Sequence, residues 1–209
     1  MLIEKMSLSR SKLDIRTSRL LLRPIGPADV ELLWPHVAEP ELSKYMTWDP
    51  HEDRAETAAF IASELAAADR GTGHCWVLEH DGAFAGVIGL HGIVAYTRAW
   101  RRDHAELGYW CAPPLQGRGL MTEAGRAVLG CAFEVLGLHK VSVGCISENA
   151  ASKRVIEKLG FRFLGEQRDH CFRFGRWWNH LVWEMTVDEW RQGTLQPSNA
   201  AAGEGSPSA

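Results

Sequence analysis

The chain has 209 residues, 45% hydrophobic and 23% charged, a globular composition that excludes collagen-like, mostly disordered and membrane-embedded classes. Lys plus Arg number 23 against 26 Asp plus Glu, a net charge of −3 that supplies no overall basic field for nucleic acid. The length suits one domain. Five cysteines without a CxxC pair suggest neither a disulfide framework nor a zinc ribbon, and nine histidines without HExxH require no metal. The N-terminus MLIEKMSLSRSKLDIRTSR is too polar for a signal peptide, and no apolar run approaches the roughly 18 residues of a membrane span. The expectation is a cytoplasmic protein with reduced thiols and no membrane partner.

In chain order, residues 1–17 read as a polar, irregular N-terminal extension, and Arg19–Arg23 as a first strand ended by Pro24. Pro27 and Asp29 open a short helix with Val30, Leu33, Trp34 and Val37 as its apolar stripe, which Pro35 kinks or shortens. From Glu52 to Asp69 alanines and Ile61, Leu65 recur at helical spacing, with Gly71 as the stop. Cys75–His80 and Ala83–Val94 flank Asp81-Gly82, the signature of a β-hairpin. Residues 97–103 read as an arginine-rich loop before a strand over His104–Cys111. A glycine-bearing loop, a helix from Leu120 to Leu136 and a strand over Lys140–Ile146 then form a crossover unit, which implies one parallel strand pair. A helix over Ala150–Leu159 stops at Gly160. Runs at Phe161–Glu166, His170–Phe174 and Trp177–Met185 close the sheet, and the tail from Gly193 reads as disordered. The domain therefore spans 18–192, with 193–209 as tail.

The loop Gln116-Gly117-Arg118-Gly119-Leu120-Met121 joins strand to helix, where the first helical turn leaves backbone N–H groups without internal partners. Two glycines allow close approach of a pyrophosphate, and the helix dipole favours its charge. The alternative is a tight turn that begins a helix and binds nothing. A Walker loop is absent, and GxGxxG fails because position 122 is Thr, which argues against a nucleoside triphosphatase or a Rossmann dehydrogenase. Strand alternation puts Glu106, Gly108 and Trp110 on one face and Leu107, Tyr109 and Cys111 on the other. A carboxylate on a central strand is costly to bury without a purpose.

In these motifs the sequence resembles the GNAT superfamily of acetyl-coenzyme A-dependent N-acetyltransferases. Its signature of Gln or Arg, two residues, Gly, one residue, then Gly or Ala is read in 116–121, with Met121 at the final small position as a departure. Residues 105–110, Met121-Thr122-Glu123-Ala124 and 149–161 resemble the RimJ/RimL branch, whose founding members acetylate ribosomal protein N-termini. The resemblance covers about Leu20 to Trp190. It implies an α+β (mixed α/β), three-layer fold: a mostly antiparallel sheet, a parallel pair splayed around the cosubstrate and helices on both faces.

The resemblance also assigns roles. Glu106 is the candidate base, acting directly or through water, and the alternative is a carboxylate that orients an amine or pairs with Arg101 or Arg102. Backbone groups at Trp110 and Cys111 would meet the pantetheine arm; Gln116, Gly117, Arg118, Gly119, Leu120, Met121 and Thr122 would hold the pyrophosphate. Asn149 would touch the pantetheine and Ser152 would protonate the departing thiolate, with helix capping the competing role for Asn149. Tyr109 is a rival acid. Lys153 and Arg154 are further candidates for phosphate contact or plain surface charges. Trp48, Trp100, Trp177 and Trp178 would wall the acceptor cleft. The implied reaction is direct attack of a primary amine on acetyl-CoA in a ternary complex, without a metal. The acceptor is a protein N-terminus or a small-molecule amine, and the resemblance allows a homodimer. The competing class is a coenzyme A-binding module without catalysis; a thioester hydrolase lacks its GxSxG elbow.

Overall fold

A computed structural model describes residues 13–195 of the chain. One eight-stranded sheet runs in the order β1 (Ile15–Arg16), β2 (Leu20–Pro24), β3 (His74–His80), β4 (Ala83–Thr97), β5 (Trp100–Cys111), β6 (Lys140–Ile146), β8 (Arg176–Thr186) and β7 (Arg162–Arg173). Every neighbouring pair is antiparallel except β5–β6, the expected crossover pair. Helices cover both faces. On one side α1 (Val30–Val37), α2 (Pro40–Ser43) and α3 (Arg54–Arg70) bury Leu33, Val37 and Ile61 against Val77, Val87 and Trp110. On the other, α4 (Leu120–Gly130) and α5 (Ala150–Leu159) pack Val128, Leu129, Ile156 and Leu159 onto Ile88, Leu107, Val141 and Val143. The last helix, α6, is Val187–Leu195.

Local chemistry sets the element ends. Asp53 caps α3, its side chain accepting from the Glu56 amide at 2.9 Å, and Gly71 ends it in the left-handed region at φ 67°. Asp81 and Gly82 both take positive φ, as the tight β3–β4 turn requires. A Cβ on Gly125 would come within 2.8 Å of Leu159, so a hydrogen there lets α4 and α5 meet.

Several expectations are corrected. The arginine-rich stretch 97–103 is not a loop: β4 and β5 run on to a two-residue turn at Arg98-Ala99, with Trp100 paired to Thr97. The pairing projects beyond the core, so its side chains are exposed and lack the alternation that marks a half-buried strand. The runs at 161–166 and 170–174 are one strand, β7, whose register shifts between Gln167 and Cys171. The helix read to Leu136 is α-helical only to Gly130 and widens to a π-turn over Cys131–Val135. Pro35 stays inside α1, which ends two residues later. At the N-terminus, Ile15–Arg16 already pair with β2 and Leu13 is buried; at the other end α6 includes Gly193. The tail from residue 196 lies outside the described residues. Among the described residues no helix is long and apolar enough to cross a membrane.

Candidate active site

The parallel pair is short. β5 and β6 are paired only at His104–Lys140, Ala105–Val141 and Glu106–Ser142. Beyond that point β5 continues to Cys111 and β6 to Ile146 without pairing, so the two strands diverge and leave backbone groups of both facing a gap. The gap opens one residue after Glu106.

At the far end of β5, the 116–119 loop delivers the chain into α4. Gly117 and Gly119 both adopt positive φ, 76° and 77°. Gly119 is the N-cap and has no side chain to offer, and the first internal helical bond runs from the Glu123 amide to the Gly119 carbonyl. The amides of Leu120, Met121 and Thr122 therefore have no partner within the helix, the arrangement that favours an anion. Leu120 and Met121 bury their side chains in the core, which is why a large residue at position 121 does not obstruct the loop. Gln116 braces the loop by donating to the Cys111 carbonyl at 3.2 Å.

Beside this turn lies an open hollow of about 630 Å³ whose lining includes Arg19, Gly119, Thr122, Arg126 and Lys158. Three of these are basic. Arg118 and Arg154 are exposed, and Lys153 reaches toward Glu157 at 3.9 Å. Sequence reasoning singled out Arg118, Lys153 and Arg154 and missed Arg19, Arg126 and Lys158, because only the packing of β2, α4 and α5 brings them together. Arg126 does carry a signal: it lies seven residues after Gly119, two helical turns along the same face.

Glu123 fastens that hollow to the N-terminal segment. It accepts from Thr17 Oγ1 at 2.6 Å, Ser18 Oγ at 3.1 Å, the Arg19 amide at 3.0 Å and Arg19 Nε at 2.7 Å. Burial pushes its carboxyl up, but these bonds outweigh burial and bring it from 4.5 down to about 2. A depressed folded value means the stabilisation is full above the unfolded value near 4.5 and is lost as pH falls toward 2. Glu123→Gln is expected to cost on the order of 1–3 kcal/mol at neutral pH. Urea melts at pH 7 and pH 3 check this: the gap between the two proteins should narrow at the lower pH.

On the α5 side of the gap, Tyr109 Oη lies 2.9 Å from Ser152 Oγ and 3.3 Å from the Ser152 carbonyl. Burial holds the Tyr109 phenol well above its ordinary value, although the Ser152 contact works in the opposite direction. Tyr109 thus stays protonated throughout the neutral range. Burial also raises the Cys145 thiol, while a bond with Ser152 opposes that rise. Asn149 Oδ1 accepts from the Ser152 amide at 3.1 Å, so it caps α5. Cys111 is held protonated, its thiol pushed up to about 11 by burial.

Glu106 occupies the opposite face, as alternation requires. It is exposed rather than buried, which removes the burial cost expected from sequence. No hydrogen bond or ion pair to protein holds it among the described residues; Arg101 is paired with Asp103 instead. Two imidazoles flank the gap on this face. His91 of β4 is the register partner of Glu106, its ring lying over Gly108 of β5, and His180 of β8 covers Gly144 of β6. Burial first, then His170, lowers His180, with Glu106 acting against them.

The four tryptophans separate into two groups. Trp178 is buried, its Nε1 donating to the Arg173 carbonyl at 2.9 Å and its ring meeting Tyr45 edge-on at 6.1 Å. Arg173 in turn binds the carbonyls of Met46 and Trp48 and the Asp49 carboxylate, so Trp48 and Trp178 belong to one wall. Trp100 and Trp177 stand at the tips of the β4–β5 and β7–β8 hairpins, 76% and 56% exposed, and Trp100 is on the order of 20 Å along β5 from Glu106. The structure does not bring Trp100 to the gap, whereas Trp177 lies three residues before His180, the register partner of Ile146 at the diverging end of β6. No group of three or more His, Cys, Asp or Glu capable of holding a metal occurs among the described residues.

This sheet, split at its one parallel pair and followed by an uncapped glycine turn, defines an acyltransferase fold. The acetyltransferase (GNAT) domain family matches residues 19–162, and the chain belongs to that family. It is an acetyltransferase. It is 33% identical over 113 residues to a putative ribosomal N-acetyltransferase YdaF of Bacillus subtilis (strain 168), covering 54% of this chain and 59% of that protein. Spermidine N(1)-acetyltransferase of Escherichia coli (strain K12) is 27% identical over 77% of this chain and 82% of its own. Among solved structures, a RimL ribosomal L7/L12 alpha-N-protein acetyltransferase in complex with coenzyme A superposes with a TM-score of 0.75 at 20% identity, covering 83% of this chain and 97% of that one. A spermidine N-acetyltransferase from Vibrio cholerae, in complex with CoA and spermine, gives 0.74 at 20% identity, over 84% and 99%.

Proposed function

We propose that the chain transfers an acetyl group from acetyl-CoA to a primary amine by direct attack in a ternary complex. The observation that carries this reading is the divergence of β5 from β6 immediately after Glu106, which leaves a carboxylate on one side of the gap and the Tyr109–Ser152 pair on the other. A thioester placed in the gap would meet a group that attracts an ammonium on one face and a group that can protonate a thiolate on the other.

The amides of Leu120, Met121 and Thr122 would hold the pyrophosphate, with Gln116, Gly117, Arg118 and Gly119 shaping the turn and Arg19, Arg126 and Lys158 supplying charge to the remaining phosphate. Free main-chain groups near Trp110 and Cys111 would pair with the pantetheine amides. Asn149, whose Oδ1 is engaged in capping, has its amide nitrogen to offer to the same arm. Ser152 would deliver its proton to the departing thiolate and recover one from Tyr109. This arrangement suits an enzyme better than a silent coenzyme-binding module, since capping alone leaves the Tyr109–Ser152 bond without a use.

The acceptor class is a protein N-terminus or a small amine. Trp48 and Trp178 wall the acceptor side, where an ammonium would meet Glu106. An acetyl-CoA cosubstrate favours a cytoplasmic location in this reading.

A screen of N-terminal peptides, polyamines and other small amines with acetyl-CoA, read by free-thiol release and product mass, tests the activity. Transfer to at least one amine is expected, and release of thiol without any acetylated product would refute it. Glu106→Gln should preserve coenzyme binding, lower kcat/KM by roughly 10²-fold or more, and make the residual rate rise with pH as neutral amine accumulates. An unchanged pH–rate profile would remove Glu106 from the chemistry.

A further inference from the structure

A second acid–base group stands beside Glu106, and nothing in the motif reading points to it. Gly89 of β4 and Gly108 of β5 face each other in register, and together they leave a slot in the surface of the sheet. The imidazole of His91 fills it. A Cβ built on Gly89 would lie 2.7 Å from Nε2 of His91, and one on Gly108 would lie 3.2 Å from the same atom. Nε2 is therefore held over the β5 residue that follows the last paired position of the β5–β6 ladder by two, at the mouth of the gap. His91 itself is the register partner of Glu106.

The other ring nitrogen points away. Nδ1 lies 3.6 Å from Oε2 of Glu64 on α3. That carboxylate is 13% exposed, and Oε2 is buried without a hydrogen-bond donor. Glu64 follows Thr57 and Ile61 on the buried stripe of α3, so the helix packing fixes its approach. A buried carboxylate oxygen lacking a donor is a costly arrangement unless a neighbouring group becomes cationic at some stage. The carboxylate–Nδ1–imidazole–Nε2 order matches the way a carboxylate orients a histidine for proton transfer, with the working nitrogen directed at substrate.

We infer that His91 is a catalytic base of the acetyl transfer, positioned by Glu64, and that it takes the proton which the acceptor ammonium must lose before attack. This inference rests on the amine-acetylation reading above. The step balances as follows: R–NH₃⁺, drawn in by Glu106, gives one proton to Nε2 of His91, leaving neutral R–NH₂ and an imidazolium faced by Glu64. The nitrogen lone pair then forms the C–N bond to the thioester carbonyl carbon, and the C–S bond breaks. The attacking nitrogen, now bearing a positive charge, loses its second proton to water, and the departing thiolate takes one from Ser152, which is reprotonated from solvent through Tyr109. His91 returns its proton to water through its exposed edge, being 41% exposed.

The groups sharing this face are Glu64 from α3, Cys75 from β3, and Glu106 and His104 from β5, with His180 across the gap. Cys75 is held neutral by burial, then by Glu64 and Asp29. His104 is turned to Ser142 at 2.9 Å, and burial, then Lys140 and Arg102, lower it. His180 contacts Gln167, a neutral partner, at 3.4 Å. Of these imidazoles, His91 alone is paired with a carboxylate in the site.

The test uses steady-state kinetics of the full chain with acetyl-CoA and an amine that the wild-type protein acetylates. His91→Gln should lower kcat by about 10–100-fold with coenzyme A affinity and melting temperature retained. His91→Gly empties the slot, and added imidazole should restore several-fold of the lost rate. Glu64→Gln should lower kcat several-fold without raising the acceptor KM, with part of the loss recovered in Glu64→Asp; a purely structural carboxylate would change the melting temperature and leave kcat per folded molecule in place. Wild-type kcat in His91→Gln, or no rescue of His91→Gly by imidazole, would overturn the assignment of His91 while leaving the acetyltransferase reading intact. A wild-type protein that binds coenzyme A and acetylates no amine would overturn both.

Discussion

Gly119→Val is expected to abolish measurable coenzyme A binding while the protein stays folded. Gly119 sits at φ 77°, where a β-branched residue is strained by about 1–2 kcal/mol or more, so the substitution pushes the turn toward another conformation. The space is not the obstacle within the protein, since a Cβ there would meet only Arg19 Nη2, at 3.8 Å. The obstacle is to the ligand: isopropyl bulk would stand over the amides of Leu120, Met121 and Thr122, where the pyrophosphate must approach within hydrogen-bond distance. Loss of two or three charge-assisted bonds, each worth about 1.5–3 kcal/mol, corresponds to a drop in affinity of more than 10²-fold. Calorimetric titration with coenzyme A measures it, and the α4 core, with Val128 and Leu129 fully buried, should keep the fold cooperative. An affinity within threefold of wild type would show that the cosubstrate is held elsewhere.

Ser152→Ala should reduce turnover by roughly 10²–10⁴-fold if its hydroxyl protonates the leaving thiolate. Tyr109→Phe should cost less, because Ser152 can recover its proton from water more slowly. The two residues are 2.9 Å apart and act through one proton, so their effects should not add. The double variant is expected to be no slower than Ser152→Ala alone, and single-turnover thiol release measures all three. Since Tyr109 stays protonated far into the alkaline range, its replacement should introduce no change in the rate profile between pH 7 and roughly 9. Additive losses, or equal losses in stability with turnover per folded molecule preserved, would reduce the pair to packing and capping.

How far the chain could be read before folding depended on the range of the interactions involved. The glycine turn was legible because its chemistry is local: two positive-φ residues, an uncapped helix start and apolar residues facing inward all lie within six positions. Asn149 was legible for the same reason, and its capping bond to Ser152 spans three residues. The stretch at 97–103 was misread because exposed strand carries no burial pattern, and only its pairing across the hairpin makes it β. Trp100 was drawn to the site by residue type, although it lies at the tip of the β4–β5 hairpin.

By itself the sequence determined the order of elements, the single crossover that forces one parallel pair, the glycine turn before α4 and the family. Periodicity, turn chemistry and short motifs act over a few residues, so they survive in one dimension. The tertiary structure alone decided that β5 and β6 part after three pairs, that Tyr109 meets Ser152 over 43 positions, and that Arg19 joins Arg126 and Lys158. It alone set the imidazole of His91 over two facing glycines and against Glu64, 27 residues earlier in the chain. Those placements depend on strand register and on which helix covers which face, and the packing of the whole sheet fixes both.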